Sequence, residues 1–308
     1  MEPEWTAYVR SPHSRVDCVR CHIGPGASWA VKAKIDGLRQ VWGVMTGDFH
    51  RPVPTPVHTL RPSRDTCEQC HWPARFHGTR VALYPHFEQD ETNTPAYNAM
   101  VVRLGGANPG TGKHEGIHWH VSEDFKVRYQ YLDEKRLQIG RIQVVQGDRI
   151  VREYNLPGQK GQVLGERTMD CIDCHNRPTH IFDESAKAAV DRAMHEGKLD
   201  RRIPYLAKVS AELLARVDVP RKQAQAHFRR ALVAAYGQIQ AAGLPGDTTV
   251  LTAAADEIAA LYLRNIFPEM KVAWGTYRSH LGHGGADGEQ IGCFQIGRAS
   301  CRERVCYV

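Results

Sequence analysis

One short pattern occurs three times in the chain: two cysteines separated by two residues, with a histidine directly after the second cysteine. This pattern is the attachment signature for c-type haem. Thiols at positions i and i+3 lie on one side of a helical turn, where each can form a thioether with a haem vinyl group while the adjacent imidazole binds the iron. The predicted thioether cysteines are Cys18 and Cys21, Cys67 and Cys70, and Cys171 and Cys174, and the predicted proximal iron ligands are His22, His71 and His175. The sequence therefore predicts three covalently attached haems, around which the chain has to fold.

Three other uses of paired cysteines fit this pattern less well. A zinc site takes two such pairs, or one pair with distant histidines, and has no need of a histidine directly after every pair. A thioredoxin-like redox pair is usually single and lies in a βαβ unit, which the sequence does not indicate. Structural disulfides do not explain three identical spacings followed by the same residue. Zinc binding is the main alternative to haem attachment.

Charge and hydropathy narrow the possible partners and the location. The net charge of +6 at pH 7 would be offset by the propionates of three haems, which carry about six negative charges. No basic cluster is interleaved with aromatic residues, so nucleic-acid binding is not expected. No run of about 20 apolar residues could cross a membrane. No signal peptide opens the chain either, which conflicts with the attachment of haem c outside the cytoplasm.

The hydrophobic pattern predicts a mainly α-helical multihaem cytochrome c with irregular haem-wrapping loops and a small antiparallel β insertion. We expect a haem-binding region with two motifs over 1–99, the β insertion over 100–160, the third haem segment over 161–182 and a helical region over 183–294. Helices are predicted over 29–46, 186–194, 205–217, 221–239 and 250–266. Strands are predicted over 101–104, 117–121, 127–131 and 142–145, with a hairpin turn at 146–148 that leads into 149–151.

Residues 1–76, which hold the first two motifs, and the run 167–181 around the third resemble the NapC/NirT-type multihaem c-type cytochromes. The runs 265–270 and 274–277 are similar to a longer, haem-richer branch of that group. The resemblance implies an N-terminal membrane anchor, a haem motif directly after it, and electron transfer from membrane quinol, or a quinol-oxidising partner, to periplasmic redox proteins. Because the first residues of this chain are similar to the segment directly after the family's first motif, we interpret Met1 as an internal start. We expect the full-length protein to carry more haems and to be anchored at the periplasmic side of the bacterial cytoplasmic membrane.

Low-spin haems that carry electrons need a second axial ligand, most often another histidine. The resemblance implies that His180 binds the iron of a different haem from the one held by His175. The other candidates for distal ligands are His13, His58, His118 and His120. His118 and His120 would lie on one face of a predicted strand, so a single ligand is expected from that pair. His280 and His283 stay open, and the remaining histidines are expected to be solvated: His50, His77, His86, His114, His195 and His227.

Two functions fit these features. The preferred one is electron transfer through doubly ligated haems, with no substrate and no catalytic residues. The alternative is a multihaem reductase in which one haem keeps an open position for a small nitrogen or sulfur oxyanion. No variant motif, such as lysine in place of the motif histidine, marks such an open site. The sequence therefore favours the electron carrier over the reductase.

The end of the chain carries an incomplete fourth signal. Gly292-Cys293-Phe294 is similar to the opening of another haem motif of the family, so Cys293 is predicted to be the first thioether cysteine of a truncated motif. The run 295–305 resembles the translation of a common sequencing adapter and has neither an apolar period nor turn signals. We expect 295–308 to be a sequencing artefact, and a natural, mobile basic tail is the alternative.

Overall fold

The structure is a computed structural model that describes residues 2–24, 26–56, 62–72, 76–105, 116–121, 125–155, 161–241 and 248–281. The helices are α1 (Glu2–Tyr8), α2 (Cys18–His22), α3 (Ala27–Thr46), α4 (Arg64–Cys67), α5 (Cys171–Cys174), α6 (Ala186–His195), α7 (Leu206–Leu214), α8 (Ala224–Ala241) and α9 (Thr248–Asn265). The strands are β1 (Gly78–Phe87), β2 (Pro95–Gly105), β3 (Lys126–Tyr131), β4 (Ile139–Gln146), β5 (Arg149–Asn155) and β6 (Gly165–Thr168).

The chain divides into two compact units, which we name by their content. The helical unit comprises Met1–Arg10, Leu83–Ala99 and His180–Arg278. The motif unit comprises Ser11–Ala82, Met100–Thr179 and Ser279–Val308, and it contains all three cysteine–histidine motifs.

The prediction of a mainly α-helical fold with one small β insertion is wrong. The described part of the structure is 40% helical and 20% strand, and it contains two antiparallel sheets. One sheet pairs β1 with β2, and the other has the strand order β5-β4-β3-β6. Most side chains of β1 are exposed, so the alternation that marks a half-buried strand is missing from its sequence. The strand β6 is only four residues long, which is too short for a reliable pattern.

The four-stranded sheet forms the core of the motif unit. Tyr129 of β3 lies opposite Ile142 of β4 on one side and Arg167 of β6 on the other. The buried side chains of this core are Val127, Tyr129, Ile139, Ile142 and Met169. The predicted hairpin between β4 and β5 is confirmed, and Gly147 takes the left-handed backbone conformation that this turn requires, with φ 58°.

The predicted strand over 117–121 is also wrong. The amides of Ile117 and His118 donate hydrogen bonds to the carbonyls of Arg103 and Leu104, after which Trp119–Val121 form a 3₁₀ turn. Gly116 opens this segment at φ 84°, where a Cβ atom would lie 2.6 Å from the amide nitrogen of Gly105. Only glycine allows that approach. As a consequence, His118 and His120 do not share a strand face.

The helical unit is built from α6 to α9, and the helices predicted for this region are confirmed to within a few residues. Their apolar faces meet in one large cluster that includes Leu206, Phe228, Leu232, Ile258 and Tyr262, all of them fully buried. The period of 3.6 residues predicted these helices because each one buries a single face.

The helix predicted over 29–46 is confirmed as α3, which ends where Gly47 takes a left-handed conformation. Its apolar side chains are largely exposed; the most exposed are Val31, Ile35, Leu38, Trp42, Val44 and Met45. Among the described helices, none combines the length and the apolar character that crossing a bilayer requires.

Candidate haem-binding site

Each of the three motifs forms a tight turn. The first motif is the whole of α2. The first four residues of the third motif are the whole of α5, and His175 follows directly after it. In the second motif α4 ends at Cys67, and the amides of Cys70 and His71 donate to the Cys67 carbonyl at 3.1 and 2.8 Å. The six cysteines are thiols rather than disulfides. All three motifs therefore place two thiols and an adjacent histidine within one turn of backbone.

The turn of the third motif is fixed by its own carboxylates. The side chain of Asp170 accepts a hydrogen bond from the Cys171 amide at 2.7 Å, and the Asp173 carboxylate accepts one from the Asp170 amide at 2.7 Å. This reciprocal arrangement is a capping box, which satisfies amides that a helix of four residues would otherwise leave without partners.

The second and third motifs lie against each other. The Ser63 amide, directly before α4, donates to the Asp170 carboxylate at 2.7 Å. A hydrogen bond between the Cys67 and Cys171 thiols lowers the pKa of Cys67 and raises that of Cys171. The second and third motifs are therefore neighbours in the structure.

The first motif lies beside the second. A cavity of about 370 Å³ is lined by Val19 and Arg20 of α2, by Ile23 and Gly24, and by Gln69 of the second motif. Burial, and next the neighbouring Cys67, raise the pKa of Cys21. All three attachment points thus lie close together within the motif unit.

Two motif histidines face a second histidine that the sequence predicted as a distal ligand. The ring centres of His118 and His175 are 6.3 Å apart with nearly parallel planes, at 6°. The ring centres of His13 and His71 are 6.0 Å apart, with planes at 68°. A metal held between two imidazole nitrogens, with bonds of about 2 Å each, separates the two ring centres by about 6 Å. Both pairs have the centre-to-centre spacing that two imidazoles bound to one metal ion would have.

Backbone carbonyls fix which nitrogen of each distal candidate carries the proton. The Nδ1 atoms of His13 and His118 lie 3.0 and 2.9 Å from the carbonyl oxygens of Pro178 and Leu104. A carbonyl can only accept, so Nδ1 is protonated and Nε2 keeps its lone pair in the neutral ring. A histidine that ligates a metal through one nitrogen almost always donates from the other in this way.

The surroundings of His118 keep its ring neutral and oriented. Phe76 stacks on it with ring centres 4.6 Å apart. Burial lowers the pKa of His118, and partial burial together with the neighbouring His118 lowers the pKa of His175. The neutral form, which these shifts favour, is the one that binds a metal.

His120 is positioned differently. Its ring centre lies 6.3 Å from that of His118, and its ring packs edge-on against Trp119. Burial, and next the neighbouring His118, lower the pKa of His120 to about 4. The structure thus places His118, rather than His120, opposite a motif histidine.

Two further histidines donate from Nδ1 to a backbone carbonyl. His180, a predicted ligand, belongs to the helical unit and donates to the Glu4 carbonyl at 2.9 Å. His280, which the sequence left open, is buried; its Nδ1 lies 3.0 Å from the Asp173 carbonyl, and its amide donates to Asn176 at 2.8 Å. No sequence signal identified His280, because its partners precede it by more than 100 residues. The predicted site residues His58 and Cys293, together with His114, His283 and the run 295–308, lie outside the described residues.

The residues present fit haem c. The thiols of the motifs are exposed or half-buried, and two pairs of imidazoles have the centre-to-centre spacing that two ligands of one metal ion would have. In the part of the chain that the structure describes, no group of three His, Cys, Asp or Glu side chains is arranged to hold a metal ion.

No protein-family model matches the chain, and no solved structure matches it. The chain is 42% identical over 292 residues to the cytochrome c-type protein ImcH of Geobacter sulfurreducens. The aligned region is 92% of this chain and 56% of that protein, so the chain spans about half the length of the curated relative that it matches. That protein is named as a c-type cytochrome, the class of protein that the three motifs of this chain predict.

Proposed function

We propose that the chain is a multihaem electron carrier with one haem c at each of its three motifs. The observation that carries this proposal is the pairing of His118 with His175 and of His13 with His71, at 6.3 and 6.0 Å between ring centres. When bound, haem supplies one-electron redox chemistry at each iron. The chain attaches the haem, orients it and occupies both axial positions, so at these two haems no position is left for a substrate.

The motifs and the histidine pairs assign a role to each residue. In the proposal, Cys18, Cys21, Cys67, Cys70, Cys171 and Cys174 form the thioethers, and His22, His71 and His175 are the proximal ligands. His118 is the distal ligand of the third haem, and His13 is that of the second. His180, His58 and His120 are candidates for irons outside these two pairs, and Cys293 for the start of a further motif.

The physiological setting is proposed from the NapC/NirT resemblance and from the similarity to a cytochrome c-type protein. Electrons enter from membrane quinol or a quinol-oxidising partner and leave to a periplasmic redox protein. The chain works at the periplasmic side of the cytoplasmic membrane. The second and third motifs lie side by side, because the Ser63 amide before one donates to Asp170 before the other at 2.7 Å, and this supports electron transfer between their haems.

The test is covalent haem attachment after export. We expect the intact mass to rise by three haems when the chain is exported to the periplasm of a host with haem-attachment machinery, and not when it stays in the cytoplasm. Replacing both cysteines of one motif by alanine should remove one haem and leave two. Unmodified thiols at all three pairs after export would contradict the proposal.

The same sample separates the carrier from the reductase alternative. The two paired haems should be low-spin in the ferric state and should not bind cyanide or nitrite. Binding of either ligand to those two haems would favour a reductase with an open iron position.

A further inference from the structure

The turn of the third motif contains a buried carboxylate that the other two motifs lack. Asp173, the second residue between Cys171 and Cys174, is 6% exposed. Arg20 and Gln69 hold the same position in the first and second motifs, and both are exposed. A charged side chain inside a haem-attachment turn acts on the haem from a fixed place, because the turn is covalently tied to the ring.

Three side chains of the motif unit converge on this carboxylate. The hydroxyl of Tyr129 donates to Asp173 at 2.8 Å, and Nε of Arg167 lies 3.0 Å from Oδ1 and 3.1 Å from Oδ2. Nη1 of Arg136 lies 3.9 Å from Oδ1, and Arg136 is itself buried. We call Asp173, Tyr129, Arg136 and Arg167 the Asp173 cluster.

The cluster surrounds the Asp173 carboxylate with hydrogen-bond donors and compensating positive charge. A buried charge is retained only when it is paired and hydrogen-bonded. Two guanidinium groups, the Tyr129 hydroxyl and the Asp170 amide supply those partners. Burial, and next the charge of Asp173, raise the pKa of Tyr129, so its hydroxyl acts as a donor.

We propose that the Asp173 cluster sets the reduction potential of the haem held by Cys171, Cys174 and His175. The proposal rests on the proposed function, since it needs a haem at this motif. Reduction adds one electron to the iron, and the ferric form carries one more positive charge than the ferrous form. A nearby negative charge therefore stabilises the ferric form and lowers the potential, whereas a positive charge raises it. Asp173 and the two arginines are positioning residues that act on the haem through these charges.

The proposal makes a prediction of sign. Asp173→Asn leaves the buried Arg136 and the half-buried Arg167 without their counter-charge, so the potential of the third haem rises. Arg167→Gln leaves the carboxylate with less compensation, so the potential falls. For a unit charge about 10 Å from the iron, we expect a change of roughly tenfold in the ferrous-to-ferric ratio at a fixed ambient potential. That change corresponds to about 59 mV for one electron. A purely structural role would shift both variants in the same direction or release the haem from both.

The experiment is a spectroelectrochemical titration of the full chain and its variants. A variant with Cys171→Ala and Cys174→Ala identifies the component that belongs to the third haem. Two variants serve as controls: Tyr129→Phe removes a hydrogen bond without changing the charge, and Asp148→Asn removes an exposed charge at the β4–β5 turn. Neither should shift the potential of the third haem by more than a small fraction of the shifts in Asp173→Asn and Arg167→Gln. Opposite shifts in Asp173→Asn and Arg167→Gln support the proposal.

Shifts of the same sign, or none in either variant, overturn it. The haem content of the unmodified chain distinguishes failure of this proposal from failure of the proposed function. If no haem is attached at the third motif, it is the proposed function that is refuted. If Asp173→Asn does not retain its third haem, Arg167→Gln decides alone: a lower potential supports the proposal, and an unchanged or higher potential overturns it.

Discussion

At the scale of single residues, the ability to bind iron depends on which ring nitrogen carries the proton. His13, His118, His180 and His280 each donate from Nδ1 to a backbone carbonyl. Three of these four histidines, His13, His118 and His180, could be named as candidate ligands from the sequence, because the motifs call for a second histidine and the resemblance implies one at His180. It could not predict the tautomer, since the carbonyl that fixes it lies 14 residues from His118 but 165 from His13. Such contacts exist only after the chain has folded.

Replacing His118 by alanine should turn the third haem, and no other, from low-spin to high-spin. The haem stays attached because its thioethers and His175 are untouched, but its distal position opens. Electron paramagnetic resonance should show about one third of the iron converted, and added imidazole should reverse the change. His50→Ala, at an exposed histidine, is the matched control. His13→Ala should convert a different haem to the high-spin state, so the double variant should lose twice as much low-spin iron as either single variant. If the double variant loses no more than a single variant, His13 and His118 do not ligate two different haems.

At the scale of elements, two turns with the same motif are capped differently. An aspartate precedes the first cysteine of both α2 and α5. Asp170 forms a capping box because the third residue of α5 is Asp173, whose carboxylate can accept from a backbone amide. The equivalent residue of α2 is Arg20, which has no acceptor, and Asp17 makes no capping hydrogen bond. The spacing of Asp170 and Asp173 is a sequence signal that predicts this box.

Asp170→Ala should destabilise the motif unit, whereas Asp17→Ala should not. The first change removes the cap of α5 and the partner of the Ser63 amide. The expected loss in the free energy of unfolding is about 1–2 kcal/mol. The second change should stay within about 0.5 kcal/mol, because the Asp17 side chain caps nothing. Guanidinium unfolding of the haem-loaded chain, followed by haem absorbance, measures both, and equal losses would show that the cap of α5 contributes no stability.

Some helices and strands could be predicted from the sequence pattern, and others could not. The helices α3 and α6 to α9 and the β4–β5 hairpin were predicted because their periods or turn residues are strong and local. The strand β1 was missed because its side chains are mostly exposed, and the segment 117–121 was taken for a strand although its amides bond to the end of β2. The pattern failed in the first case because the strand is exposed, and in the second because the partners, Arg103 and Leu104, belong to another element.

At the scale of the whole molecule, the two units are stabilised by different means. The helical unit buries a large apolar cluster around Leu206, Phe228 and Tyr262. The sheet of the motif unit buries a cluster of five side chains, and the motif cysteines are exposed or half-buried. A small apolar core contributes little stability by itself, so bound haem should supply a large part of the stability of the motif unit.

Chains in which all six motif cysteines are alanine should lose protection in the motif unit while keeping it in the helical unit. Hydrogen exchange measured by mass spectrometry should speed up in β3, β4 and the three motif turns, and should stay slow in α7, α8 and α9. The haem-loaded chain is the reference. Equal loss of protection in both units would show that the helical unit also depends on haem.

The hydrogen bond from Ser63 to Asp170 joins residues that are 107 positions apart in the chain. This direct contact between the two motifs keeps the second and third haem attachment points close together. Their distance therefore does not depend on the length of polypeptide that runs between them. The exposed β4–β5 turn lies within that intervening polypeptide, and loop tips of this kind tolerate added residues. An affinity tag or a fluorescent reporter inserted at Gly147 would lengthen the covalent route between the two haems without lengthening the path of the electron.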